Sequence, residues 1–139
     1  MPANKQDDAA VPAYPAAMPG MAVAALILGW LVPGAGHFLL KRWTRGGLLL
    51  LSVTAMFVLG VLMEGKVYAF NTGDILDMLG FVGDVGAGAL YLVTRWMDWG
   101  HGAIQIAAAD YGTKYIIVAG LLNIICAVDA CSIAQGKKP

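Results

Sequence analysis

A chain of 139 residues, 59% hydrophobic and only 13% charged, has room for one domain and carries too little charge for a soluble one. So small a water-soluble fold could not hide this much apolar surface, so lipid must cover part of it. A formal net charge of zero points to neither a nucleic-acid partner nor a polybasic lipid-binding arm.

Residues 1–20 hold four of the six prolines and no hydrophobic run, which predicts a disordered tail. Lys5 is their only base, Asp7 and Asp8 follow it, and no small-residue cleavage site comes after the first apolar run. The pattern is not that of a signal peptide. Four apolar stretches follow, and residues 21–136 read as a single membrane-embedded domain with a basic tail at 137–139. Segment A, Met21–Leu40, is interrupted by Pro33-Gly34-Ala35-Gly36, which should end or kink its helix. Segment B, Gly46–Met63, is apolar on every face apart from Ser52 and Thr54. Segment C, Asp74–Thr94, places Asp74, Asp77, Asp84, Gly88, Tyr91 and Arg95 on one helical stripe. Asp84 lies near its middle, where an uncompensated acid is costly, so the stripe should face helices, water or a partner. Segment D, Tyr115–Ala134, is the other secure span, and Ala103–Ala109 reads as a short surface helix before it. Trp43, Tyr68, Phe70, Trp96, Trp99, Tyr111 and Tyr115 sit at or beyond segment ends, as interfacial belts do.

These elements predict an all-α integral membrane protein of about four hydrophobic helices, the first broken at Pro33–Gly36. With four spans, Lys41, Arg42, Arg45, Arg95 and Lys114 would share one face, and Lys5, Lys66, Lys137 and Lys138 the other. The compact KRWTR loop would then be cytoplasmic and both termini outside.

No catalytic constellation is present, and no cofactor is expected. GDVGAG at 83–88 lies in an apolar helix, where small-residue packing accounts for it better than a nucleotide loop. Cys126 and Cys131 fit neither a CxxC nor a zinc pattern and read as packing residues. His37 is a candidate axial ligand for haem or another tetrapyrrole, with His101 second. The preferred reading makes His37 a polar partner for carbonyls freed by the break. Asp129 lies in the apolar run CAVDACSIA, with Asn123 before it. A structural acid is favoured there over a proton or ion site, with Lys66, Lys137 or a backbone donor as partner.

VPGAGHFLLKRWTRGGLLLL resembles the Gly-rich turn, His-aromatic pair and basic loop that open the TM-two domain of small membrane proteins, through Pro33, Gly34, Gly36, His37 and Phe38. The tail YGTKYIIVAGLLNIICAVDACSIAQGKK is similar to the closing helix of bacterial membrane proteins of unknown function, through Tyr111, Gly112, Thr113, Asn123, Asp129 and Ala130. That resemblance implies no enzymatic activity and a multi-pass protein of the bacterial inner membrane.

The small-residue faces Gly80, Gly83, Ala87 and Ala119, Asn123, Ala127 suit the approach of another helix. The function expected is therefore a non-catalytic structural or accessory subunit of a larger membrane assembly or homo-oligomer, with lipid and other subunits as partners and no nucleic acid. The alternative is a small transport or ion-conducting unit using Asp84 and Asp129.

Overall fold

A computed structural model describes residues 19–70, 73–102 and 106–137. The expected tail therefore lies outside the described residues, save its last two positions, which open the first helix. Six helices follow in order: α1 Pro19–Leu31, α2 Ala35–Leu39, α3 Trp43–Leu62, α4 Ile75–Val85, α5 Ala89–Trp96 and α6 Ala107–Ala134. All four apolar stretches are helical, and the first breaks where Pro33 interrupts it.

The helices begin and end for local reasons. Pro19 opens α1, a position where a missing N–H costs nothing. Gly34, at φ 78°, turns the chain from α1 into α2. Lys41 and Glu64 take left-handed conformations at the two ends of the α3 region. Asp74 caps α4 by accepting from the Leu76 N–H at 3.0 Å. Residues 103–105 of the expected surface helix lie outside the described residues, and 107–109 are simply the first turn of α6.

α6 is the spine. At 28 residues it runs about 42 Å, and α3 at 20 residues runs about 30 Å. These two helices are long and apolar enough to cross a membrane. They are antiparallel: Gly60 of α3 abuts Gly112 and Ile116, while α2, just before the start of α3, packs its Gly36 on Ala130. Val53, Phe57, Val67, Ala87, Ile116 and Ala119 form the core between them.

The number of crossings differs from the simple four-span plan. α1 runs along the C-terminal half of α6, with Ala22 and Ala25 packed among Ala130 and Ala134, and ends beside Asn123. α2 then turns back, setting Gly36 against Ala25. Segment C likewise is two helices, α4 and α5, bent by 109° at Gly86–Gly88. Its ends return to one place, because Lys66 and His101 pair and the Val67 N–H donates to the Gly100 carbonyl at 2.9 Å. The chain thus has two helices long and apolar enough to cross a membrane, or three crossings if α4 and α5 together make one bent span, and two helix pairs that fold back toward opposite ends of α6.

This topology corrects the sidedness expected from four spans. The basic loop 41–45, the start of α1 and the end of α6 with Lys137 lie at one end. Lys66, Arg95 and Lys114 lie at the other.

Candidate functional site

The two turned-back pairs meet at Asn123, halfway along α6. Its side chain is 0% exposed, and its Nδ2 donates to the Trp30 carbonyl of α1 at 2.7 Å and the Gly86 carbonyl after α4 at 2.8 Å. Trp30 Nε1 closes the same junction by donating to the Val85 carbonyl at 3.0 Å. Helix ends leave carbonyls without intrahelical partners. In apolar surroundings each needs a donor, so a single amide with two N–H groups joins two such ends. Gly88, at φ 61°, faces the Trp30 carbonyl so closely that a Cβ could not fit.

Asp84 points from α4 into the core and is 0% exposed. Its Oδ2 accepts from the Tyr68 N–H at 2.6 Å. Tyr91 donates its hydroxyl to the Tyr68 carbonyl at 3.4 Å, and Thr113 Oγ1 accepts from the Lys66 N–H at 2.8 Å. Polar side chains of α4, α5 and α6 thus hold the extended segment 66–68, whose backbone has no helical partners of its own. Of the stripe expected on segment C, Asp84 and Gly88 are buried against protein, Asp77 and Tyr91 are half-buried, and Asp74 and Arg95 are exposed, as are Ile75, Leu76, Leu79 and Val82 on the other side. Asp84 Oδ1 and Asn123 Oδ1 are the buried side-chain oxygens without a partner among the described residues.

His37 lies in α2, 1% exposed, and donates through Nε2 to Asp129 Oδ2 of α6 at 3.1 Å. His37 is not among the partners expected for Asp129. Lys66 is at the far end, because Asp129 lies at the same end as the basic loop. His37 is also not presented as an open axial ligand, since its Nε2 is engaged and its ring covered. His101 pairs with the exposed Asp98 at 2.9 Å, away from His37. Among the described residues no group of three or more His, Cys, Asp or Glu side chains could hold a metal ion.

The small-residue faces are used within the chain rather than left open. Gly80 meets the Tyr68 ring, Gly83 meets Ile117, and Gly120 lies against the Gly83 carbonyl. Ala87, Ala119 and Ala127 are buried.

One signal in the sequence marks the junction in advance. Leu28-Gly29-Trp30, Gly34-Ala35-Gly36 and Arg42-Trp43 recur as Leu79-Gly80-Phe81, Gly86-Ala87-Gly88 and Arg95-Trp96, at spacings that differ by one residue. The first copy breaks at Val32-Pro33-Gly34 and the second at Gly86-Ala87-Gly88, and the long α3 and α6 follow the first and second copy. The two copies enter from opposite ends, an arrangement of inverted halves.

No curated protein and no solved structure matches the chain significantly. The model of a family of unknown function, DUF6677, matches residues 24–139, which include both helix breaks, Asn123 and the His37–Asp129 pair, and the chain belongs to that family.

Proposed function

We propose that the protein is a non-catalytic structural or accessory component of a membrane assembly, working with other subunits or further copies of itself. The supporting observation is Asp84. It is wholly buried and accepts from the Tyr68 backbone through one of its two oxygens, as a group that holds a fold does. Asn123, Thr113 and Asp129 are likewise engaged within the chain. Apolar side chains such as Leu48, Leu51, Leu59 and Leu62 on α3 and Ile125 on α6 are left for lipid or partner helices. The bacterial cytoplasmic membrane and a TM-two-like role for the turn Pro33–Phe38 belong to this proposal. They rest on the resemblance of that turn and of the closing helix.

A second reading, a small transport or ion-conducting unit, is favoured by the opposed helix pairs meeting at mid-depth, where transporters of inverted architecture bind substrate. Purification in mild detergent followed by mass measurement separates the two. The first reading expects a fixed partner or a defined oligomer. A monomer whose reconstituted ion flux responds to Asp84→Asn would overturn it in favour of the second.

A further inference from the structure

We propose that the loop between α2 and α3 binds the phosphate of an anionic phospholipid. Lys41, Arg42 and Arg45 crowd into five residues. Among the described residues none of them is in a salt bridge. Together with Trp43 and Thr44 they line a cleft of about 370 Å³. The first turn of α3 contains no acid, and Arg42 at its N-cap makes no side-chain capping bond. Its free N–H groups and the positive end of its dipole therefore add to three guanidinium and ammonium charges.

The adjoining cleft says what kind of anion fits. It measures about 300 Å³, shares Arg45 with the first, and continues over Leu48 and Leu49 of the α3 membrane span to His37 and Asp129. A ligand filling both has a phosphate beside the cations and apolar chains along Leu48 and Leu49. The Asp129 carboxylate repels an anion from the inner end, which places the phosphate at Lys41, Arg42 and Arg45. Trp43, 69% exposed and in ring contact with Phe38 at 5.5 Å, sits where an interfacial tryptophan meets the headgroup layer. At the opposite end the Arg95-Trp96 pair has no such cluster, because Asp98 and Asp110 lie close in sequence to Arg95 and Lys114. Lys114 is already paired with Asp110. The zero net charge of the chain thus conceals a local positive end.

The full chain in mild detergent would be titrated with phosphatidylglycerol, phosphatidylcholine and inorganic phosphate, following its thermal unfolding. Phosphatidylglycerol should stabilise it at concentrations at least tenfold below phosphatidylcholine. Each neutralised cation should weaken that preference about fivefold. Arg45→Gln alone would show one step and Lys41→Gln/Arg42→Gln/Arg45→Gln would abolish the preference, while Lys66→Gln at the other end leaves it unchanged. The single variant keeps the experiment decisive if the triple variant does not fold. Equal response to the two lipids, or a preference that survives Arg45→Gln undiminished, would overturn the proposal. Inorganic phosphate acting as strongly as phosphatidylglycerol would also overturn it, in favour of a free-anion site.

Discussion

Asp84 and the Tyr68 amide depend on each other, because the carboxyl is wholly buried and the amide donates to it. Asp84→Ala strands the amide, and an unpaired buried donor costs about 1–3 kcal/mol. Asp84→Asn keeps an acceptor oxygen in place and should preserve most of that stability. Thermal unfolding in detergent distinguishes the two variants. Equal losses would show that the charge matters and the hydrogen bond does not. Asn123 carries more, since one amide serves two helix ends. Asn123→Leu removes both bonds and should cost about 1–3 kcal/mol, at about 0.5–1.5 for each. Packing by a leucine cannot restore it, because the Trp30 and Gly86 carbonyls would lose the amide that serves both. A Leu variant as stable as the parent would mean the junction holds without its clasp.

At the level of helices, backbones approach closely where Gly faces Gly. A methyl on Gly120 would drive into the Gly83 carbonyl, so α4 must move away from α6. Gly120→Ala should therefore destabilise by about 1–3 kcal/mol, the usual cost of overpacking. Gly47 on α3 has nothing within 4 Å of where its Cβ would lie. Gly47→Ala should be neutral or stabilise by up to about 1 kcal/mol through helix propensity alone. Unfolding midpoints of this pair test whether close approach, rather than glycine content, holds the bundle. The Pro33–Gly36 break gives a separate test. With Ala at Pro33, Gly34 and Gly36, α1 would tend to continue past Leu31 into the space beside Gly88. His37 would then leave Asp129, and thiol labelling of a cysteine at position 41 should fall as that loop is drawn inward. Unchanged labelling would show that the break does not place the loop.

For the molecule as a whole, the turned-back pairs decide which loops share a face. Cysteines at positions 41 and 137 should be labelled from the same side of a sealed vesicle, and one at position 66 from the other. A four-span chain would put 66 with 137, so this pattern discriminates between the two topologies. Among the described residues the end bearing 41 also carries Arg42, Arg45 and Lys137, against Lys66, Arg95 and Lys114. Charge counting alone therefore orients the protein weakly. The clustering of three cations in one compact loop supplies the stronger bias.

Helicity, the two long spans and the break at Pro33–Gly36 were legible in the residues. Apolar runs of about 20 residues and a proline inside a helical pattern act locally, and a bilayer leaves few alternatives to helix. The inward face of Asp84 was legible for the same reason, since a buried acid must point away from lipid. Whether segment C crosses was not. A run of 21 mostly apolar and small residues carrying three aspartates fits one span or two half-length helices equally well by composition. The choice depends on Lys66 meeting His101 and on Asn123 holding two distant carbonyls. From that choice followed the pairing of Asp129 with His37 and the internal use of the small-residue faces. Local patterning reports which groups must be buried and satisfied, whereas the partner that satisfies each one is set by how separate helices meet.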